Sequence, residues 1–195
     1  TAPTAIRALM KLGDDFPNSC DLSKLRILGT VGEPINPEAW MWYYQVIGDE
    51  RCRIVDTWWQ TETGAHMIAP LPGVTPLKPG PCTRPLPGIA ADVVDEDGNE
   101  AAWDGEEFGE LWIRGPSVTT EYFKRPDANE EDFEDGWLKT GDVVTVDEEG
   151  YIKIVDRAKD VIKSGGEWIS SVELENAIMA HDDVAEAAVV GVPHE

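Results

Sequence analysis

The residues with the clearest capacity for chemistry form one stretch, residues 56–64, with the sequence DTWWQTETG. This stretch follows the β-branched pair Ile54 and Val55, which predicts a buried strand. Its polar and aromatic side chains are therefore expected where a strand ends and a loop begins, the place where open α/β sheets bind ligands. An aromatic face suits a base, hydroxyl groups suit a phosphate, and a carboxylate such as that of Glu62 suits Mg²⁺. The pattern favours a nucleotide site.

Each of these residues also has a simpler interpretation. Trp58 and Trp59 could be core residues, as buried tryptophans commonly are. Adjacent strand residues point to opposite faces, however, so both cannot enter one core unless the sheet is covered on both sides. Thr61 and Glu62 could be ordinary polar residues of a loop. The residue types alone leave both interpretations open.

The surrounding sequence predicts the elements that position this stretch. Residues 25–30 predict a strand, and Asn36 followed by Pro37 is typical of a helix start, with the helix ending at Gly48. Strand, loop, helix and strand in this order predict an α/β sheet. Short strands separated by acidic turns between residues 89 and 155 predict a small β-barrel or distorted sheet. Ser170 and Glu173 then predict a capped helix, followed by a strand over residues 184–190, as at the start of a small α+β domain.

The composition excludes several classes of protein. Acidic residues outnumber basic residues 38 to 16, which gives a net charge of -22, while 42% of the residues are apolar. That apolar content is too high for a disordered acidic tail, and the charge argues against nucleic acid and anionic membranes as partners. No apolar run is long enough to span a membrane. A folded core under an acidic surface indicates a cytoplasmic protein from a halophilic cell, because salt screens the self-repulsion.

Four stretches, in the expected order, resemble the motifs of AMP-forming acyl-CoA synthetases, and in particular those of the acetyl-CoA synthetases. The stretch DTWWQTETG resembles the adenylate-binding motif, and GEPIN at residues 32–36 resembles the loop beside the adenine. GWLKTGD at residues 136–142 resembles the ribose-binding motif, and DRAKDVIKSGG at residues 156–166 resembles the hinge into the small C-terminal domain. The resemblance implies an adenylate-forming enzyme that uses ATP, Mg²⁺ and CoA and releases AMP.

The resemblance also implies roles for individual residues of the first two motifs. Thr61 contacts the α-phosphate of ATP, Glu62 coordinates the Mg²⁺, and Trp59 closes the pocket for the acyl group. A bulky indole in that pocket indicates acetate or another short carboxylate as substrate. The residues expected to contact the nucleotide are Gly32, Glu33, Pro34, Asp56, Thr57, Trp58, Gln60 and Thr61.

For the other two motifs, the resemblance places Asp142 on the ribose hydroxyls and Arg157 on the ribose or phosphate. Lys159 is the expected hinge about which the small domain rotates, and Gly165 and Gly166 are expected to lie where CoA enters. The implied division is a large ATP- and acyl-binding domain over residues 1–158 and the beginning of the small domain over residues 159–195. We expect the family's phosphate loop to precede this chain and its adenylating lysine to follow it.

One string departs from the acetyl-CoA synthetase pattern. Residues 163–170, KSGGEWIS, resemble enzymes for medium- and long-chain acids, and Trp168 stands where an arginine is expected. The pocket residue Trp59 therefore indicates a short acid as substrate, whereas the hinge string at residues 163–170 indicates a longer acid. Two further alternatives remain at this stage: an adenylation domain that loads a carrier protein, and a non-catalytic nucleotide-binding module. The sequence does not predict an oligomeric state.

Overall fold

The computed structural model describes residues 1–80, 83–164, 167–179, 181, 183–184 and 187–192. The chain divides into two compact units. The first unit comprises Thr1–Ile89 with Gly115–Thr119, and the second comprises Ala90–Arg114 with Thr120–Glu195. The chain is thus of mixed α/β type, as the sequence predicts, with its parallel strands in the first unit and its antiparallel sheet in the second.

The described residues of the first unit form three α-helices and a pair of strands. The helices are α1 (Pro3–Met10), α2 (Asp15–Asn18) and α3 (Pro37–Trp42), and α3 continues as one π-helical stretch over Tyr43–Ile47. The strands β1 (Ile27–Val31) and β2 (Arg53–Thr57) pair in parallel, so that Thr30 lies opposite Asp56. Asn36 caps α3 as predicted, because its side chain accepts a hydrogen bond from the N–H of Ala39 at 2.9 Å.

The core of the first unit lies between the β1–β2 pair and helices α1 and α3. Parallel strands need a crossover connection, and α3 supplies it, as in βαβ units. The buried side chains of this core come from these elements and from the loops beside them: Ile6, Leu28, Ile35, Ala39, Trp40, Cys52 and Ile54. The packing fixes the carboxyl ends of β1 and β2 side by side, and the loops that leave these ends therefore start from the same edge.

The second unit is built on a five-stranded antiparallel sheet. Its strands are β3 (Ala90–Val94), β4 (Gly109–Arg114), β5 (Phe133–Glu134), β6 (Trp137–Val146) and β7 (Ile152–Arg157). The sheet has the order β3-β4-β6-β5, and β7 pairs with β6 as well. Helix α4 (Pro126–Asp132) precedes β5. The ten-residue strand β6 is thus the centre of the sheet, and its residues Val143 and Val144 are fully buried.

The remaining elements of the second unit follow β7. Strands β8 (Ile162–Ser164) and β9 (Glu167–Ile169) form an antiparallel pair, and helix α5 (Ser171–Met179) comes next. The strand predicted over residues 184–190 is wrong where the structure describes it, since Val184 and residues 187–190 have irregular backbone. Strand propensity does not suffice without a hydrogen-bonded neighbour. None of the helices in the described ranges is long and apolar enough to cross a membrane.

Candidate nucleotide site

The two motifs of the first unit leave the sheet at the same edge. Val31 and Thr57 are the last residues of β1 and β2 and lie opposite each other in the parallel register. The loop that begins at Gly32 and the loop that begins at Trp58 therefore start next to each other. This is the edge at which α/β sheets bind nucleotides. The fold brings together, from separate parts of the sequence, the two loops that the sequence analysis assigned to the adenine and to the phosphate.

Asp56 supports this edge from inside. Its side chain is 3% exposed and accepts a hydrogen bond from the hydroxyl of Thr30, its partner across the β1–β2 pair. The next residue of β2 also bonds to Thr30: the Thr57 hydroxyl donates to the carbonyl of Thr30 at 3.0 Å. The end of β1 is thus tied to the end of β2 by two side chains of the 56–64 motif, which both bond to Thr30. Thr30 contributes to the edge although the sequence analysis gave it no role.

Glu33 holds the adenine-side loop to helix α1. Its carboxylate accepts hydrogen bonds from the N–H of Thr4 at 3.1 Å, from the Thr4 hydroxyl at 2.8 Å and from Arg7 at 3.0 Å. The preceding Gly32 has φ of 99°, a left-handed conformation that favours glycine. The carboxylate of Glu33 therefore fixes the turn, and the loop presents its backbone.

These contacts set the pH dependence of Glu33. Burial alone would raise the pKa of its carboxyl, but the hydrogen bonds from Thr4 and Arg7 and the charge of Arg7 outweigh burial and lower the pKa. A lowered pKa contributes stability above the ordinary glutamate value of about 4.3 and loses it as the pH falls through the folded-state pKa.

We expect Glu33→Gln to flatten the acid side of the stability profile. Between pH 6 and pH 3 the melting temperature of the wild-type protein should fall more than that of the variant. Glu130→Gln, which removes the same charge from an exposed position on α4, is the matched control. Parallel profiles for all three proteins would contradict the assigned role of Glu33.

The loop after β2 is closed at its neck, where Trp58 pairs with Met67 and Ile68, and it turns tightly at its tip. The N–H of Trp58 donates to the carbonyl of Ile68 at 2.9 Å, and the N–H of Met67 donates to the carbonyl of Trp58 at 3.1 Å. At the tip, Thr61–Thr63 form one 3-10 turn, which ends at Gly64 in the left-handed conformation. Glu62 is half-buried, and its carbonyl accepts the N–H of Thr119 at 2.7 Å. The loop therefore holds Thr61 and Glu62 on a defined backbone.

The adjacent tryptophans of this loop have different environments. Trp58 is 7% exposed and belongs to the core, whereas Trp59 is 45% exposed. This confirms the expectation that adjacent residues at the end of a strand cannot share one core. Of the two rings, that of Trp59 is the more accessible. The ring of Trp59 stacks on that of His66, with 6.1 Å between the ring centroids.

Thr63 is the residue of this loop that the sequence analysis missed. Its side chain is fully buried, and its hydroxyl accepts the N–H of Gln60 at 3.0 Å. The same hydroxyl lies 2.8 Å from the carbonyl oxygen of Gln60 and 2.9 Å from that of Ala65. The available signal was the spacing of Gln60 and Thr63, three residues apart as in a capping box.

We expect Thr63→Val to loosen the loop, because it keeps the shape of the side chain and removes its hydrogen bonds. The opening free energy of residues 59–66 should fall by about 1–3 kcal/mol, the usual cost of leaving a buried partner unsatisfied. Hydrogen exchange followed by mass spectrometry should show faster exchange in this segment. Thr63→Ser, which retains the hydroxyl, should exchange at nearly the wild-type rate, and equal exchange in both variants would exclude the hydrogen bonds as the cause.

In the second unit, the structure brings the two predicted ribose residues together. Asp142 lies opposite Arg157 in the β6–β7 pair, and Nε of Arg157 donates to the Asp142 carboxylate at 2.8 Å. The Asp142 side chain is 4% exposed, whereas that of Arg157 is 51% exposed. The pair therefore presents a held carboxylate beside an accessible guanidinium. Such a pair can accept hydroxyl hydrogens and donate to a phosphate or a ribose oxygen.

Two irregularities in the sheet shape the backbone around Asp142. The β4–β6 register shifts between Glu110 and Trp112, and the β6–β7 register shifts between Val143 and Val144. Gly141 has φ of 67°, and its N–H donates to the Glu110 carboxylate at 2.9 Å. Bulges of this kind re-aim side chains next to functional sites. Glu110 therefore supports the backbone next to Asp142. Because Glu110 lies on a different strand, the sequence gave no signal of this role.

The hinge segment follows β7 directly. Lys159 lies exposed in the turn after Arg157, and the N–H of Ala158 donates to the carbonyl of Gly141 at 2.8 Å. Asp156 is buried and accepts the N–H and the hydroxyl of Ser171, both at 2.7 Å, at the start of α5. Gly165 and Gly166, the expected CoA residues, lie outside the described residues.

Trp168, the departure from the acetyl-CoA synthetase pattern, packs within the second unit. Its ring centroid lies 6.2 Å from that of Phe108, and the Lys163 ammonium lies 4.5 Å from the Trp168 ring. Lys163 is the cross-strand partner of Trp168 and forms an ion pair with Glu96. Trp168 therefore has aromatic and cation–π contacts at the place where an arginine was expected to bind phosphate.

The donor set fits a magnesium ion that arrives with a nucleotide. Among the described residues there is no group of three or more His, Cys, Asp or Glu side chains that could hold a metal by themselves. Mg²⁺ in nucleotide sites needs only one or two carboxylates, because phosphates and water supply its other ligands. The half-buried Glu62 on its fixed turn meets that requirement.

Comparison with known proteins agrees with this geometry. The family model described as AMP-binding enzyme matches residues 1–123, and that described as AMP-binding enzyme C-terminal domain matches residues 173–195. The acetyl-coenzyme A synthetase of Methylobacillus flagellatus is 53% identical over 201 residues and that of Thiobacillus denitrificans 54% over 203 residues. Each alignment covers 100% of this chain and 30% of the relative, so the chain spans less than a third of their length.

A solved structure shows the same fold. The anthranilate CoA ligase AuaEII in complex with anthranoyl-AMP has a TM-score of 0.84 and 32% sequence identity to this chain. The match covers 99% of this chain and 36% of the ligase. The resemblance to AMP-forming acyl-CoA synthetases is thereby confirmed. Since the first family model matches more than half of the chain, the chain belongs to the AMP-binding enzyme family.

Proposed function

We propose that the full-length protein is an ATP-dependent, AMP-forming acyl-CoA ligase that activates a short carboxylate, with acetate as the first choice. The observation that carries this proposal is the shared edge of β1 and β2, from which the loops of residues 32–36 and 56–64 both start. The names of the relatives, acetyl-coenzyme A synthetases about 50% identical to this chain, support acetate.

The residues of the first unit serve the formation of the acyl-adenylate. The substrate carboxylate attacks the α-phosphate of ATP, an acyl phosphate bond forms, and pyrophosphate leaves. Thr61 donates to the α-phosphate, and Glu62 would hold the Mg²⁺, which would offset the negative charge that develops there. The backbone of residues 32–34 flanks the adenine together with the small accessible part of Trp58, which is 7% exposed. Asp56, Thr57 and Gln60 form the rest of the nucleotide side. Trp59 closes the acyl pocket and limits the length of the acid.

The residues of the second unit serve the nucleotide and the second step. Asp142 accepts the ribose hydroxyls, and Arg157 donates to the ribose or the phosphate. The CoA thiol then attacks the acyl carbon, the thioester forms, and AMP leaves. Gly165 and Gly166 are proposed to leave space for the CoA arm, since a glycine has no side chain to obstruct it.

We propose Lys159 as the hinge between the two steps. Its exposed turn follows β7, and a few such residues at the end of an element can absorb the backbone change of a domain rotation. The proposed division is a large domain over residues 1–158 and a small domain that begins with residues 159–195.

The test is AMP release by the full-length protein with ATP, CoA and a series of acids from acetate to laurate. Activity that peaks at two or three carbons supports the pocket assignment of Trp59. A peak at longer chains would favour the string around Trp168 as the guide to the substrate. AMP release that needs a carrier protein in place of CoA would support an adenylation domain.

We also propose, from the charge of the chain, that the protein works in the cytoplasm of a halophilic cell. With 38 acidic and 16 basic residues, the folded protein repels itself at low salt. We expect the melting temperature of the full-length protein to rise by several degrees between 0.1 M and 2 M KCl. Most of the rise should occur below 1 M, because the Debye length falls from about 10 Å at 0.1 M to about 3 Å at 1 M. Sucrose at matched osmolality is the control, and a rise with sucrose equal to that with KCl would contradict charge screening.

A further inference from the structure

The stack of Trp59 on His66 is a contact to which the sequence analysis gave no function. The two ring centroids lie 6.1 Å apart, with an angle of 29° between the planes. Offset stacking at 4.5–7 Å is a favourable arrangement of aromatic rings. Trp59 is 45% exposed, so the core does not enclose its indole as it encloses that of Trp58. The His66 ring therefore stacks on an indole that stays partly exposed.

The stacked pair joins the two ends of the loop. Residues 59 and 66 are the first and last residues of the loop whose neck is closed by hydrogen bonds between Trp58 and residues 67 and 68. On either side of the pair, Trp58 is 7% exposed and Met67 is 1% exposed. Both backbone anchors are thus fixed in the core, and the two rings face each other across the neck. The Thr61–Thr63 turn lies within the same loop.

A ring stack of this kind restricts the position of the Trp59 indole. An exposed tryptophan has several accessible rotamers, and a ring stacked on one face restricts them. If the indole limits the length of the acid, its position must be fixed, because a pocket wall that moves excludes nothing. His66 is the described side chain whose ring contacts that of Trp59.

We propose that His66 is a positioning residue that sets the chain-length limit of the acyl pocket by holding the Trp59 indole in place. The inference rests on the proposed function, and it assigns His66 no contact with the substrate and no proton transfer. The property that matters is a flat ring at position 66. Phenylalanine should therefore replace histidine there, and alanine should not.

The test compares acids of two to four carbons in the full-length protein and in His66→Ala and His66→Phe. The measured quantity is the ratio of kcat/KM for acetate to kcat/KM for butyrate. His66→Ala should lower this ratio roughly 3- to 10-fold, the range expected from the loss of one aromatic stack. His66→Phe should keep it near the wild-type value. The KM for ATP should be unchanged in both, because the ring contact does not involve the nucleotide.

A double variant separates positioning from a general effect on the loop. In a Trp59→Ala background, His66→Ala should cause no further change in the acetate-to-butyrate ratio. A wild-type ratio in His66→Ala, a loss in His66→Phe equal to that in His66→Ala, or additive losses in the double variant would each overturn the inference while leaving the ligase assignment intact. Absence of AMP release by the wild-type protein with every acid would instead overturn the proposed function, and this inference with it.

Discussion

Asp142→Ala is expected to reduce kcat/KM for ATP by at least about 100-fold. The Asp142 carboxylate is buried, fixed by Arg157 at 2.8 Å, and proposed to accept both ribose hydroxyls. Hydrogen bonds to a charged group contribute about 1.5–3 kcal/mol each, and each 1.36 kcal/mol is a tenfold change in rate. The effect should lie mainly in the KM for ATP, because the ribose is bound before and during the reaction. Steady-state kinetics of AMP release with acetate and CoA measure it.

A buried carboxylate can also be structural, so the control must separate binding from folding. Asp142→Asn keeps the size of the side chain and one carbonyl acceptor, and its loss should be clearly smaller than that of the alanine variant. Replacing ATP with 2′-deoxy-ATP should affect the wild-type protein strongly and Asp142→Ala little. A 2′-deoxy effect of equal size in both would show that Asp142 does not bind the ribose.

Glu62→Gln is expected to slow adenylate formation by about 100-fold or more while leaving AMP binding nearly unchanged. The amide keeps the shape of the half-buried side chain and removes the charge proposed to hold Mg²⁺. Charge stabilisation of this kind acts on the developing transition state, and the loss of one well-placed group costs about 10²–10³ in rate. Single-turnover formation of the acyl-adenylate, measured without CoA, isolates this step.

Raising the magnesium concentration is the informative control for Glu62. If the carboxylate holds the ion, the variant should need more Mg²⁺ to reach half of its maximal rate. Moving the carboxylate to position 60, with Gln60→Glu in the Glu62→Gln variant, should not restore the rate, because Gln60 lies outside the 3-10 turn that fixes residue 62. A Glu62→Gln variant with wild-type magnesium dependence and a wild-type rate would remove Glu62 from the site.

The sequence predicted those features that depend on neighbouring residues. The start of α3 at Pro37 follows from Asn36 as cap, and strand β2 follows from the β-branched pair Ile54 and Val55, although it continues to Thr57. Alternation along a strand predicted that Trp58 and Trp59 would differ in exposure. Which of the two is buried could not be predicted, because it depends on the pairing of Trp58 with residues 67 and 68.

Features that depend on contacts distant in sequence could not be predicted from residue patterns. Asp142 meets Arg157 through a β6–β7 register that contains a shift, and Gly141 meets Glu110 across another strand. The resemblance to a known family named Asp142 and Arg157 as functional residues, but it did not show that they contact each other. Supporting residues such as Thr63 and Glu110 become visible only once the backbone that they hold is known.

The proposed ligase forms an acyl-adenylate from a short acid before CoA takes part. Acid-dependent exchange of labelled pyrophosphate into ATP, measured on the full-length protein in high KCl without CoA, tests this proposal. We expect exchange that depends on acetate and Mg²⁺, falls sharply in Glu62→Gln, and gives way to AMP release when CoA is added. Nucleotide binding without exchange for any acid would contradict it and would identify a binding module in place of a ligase.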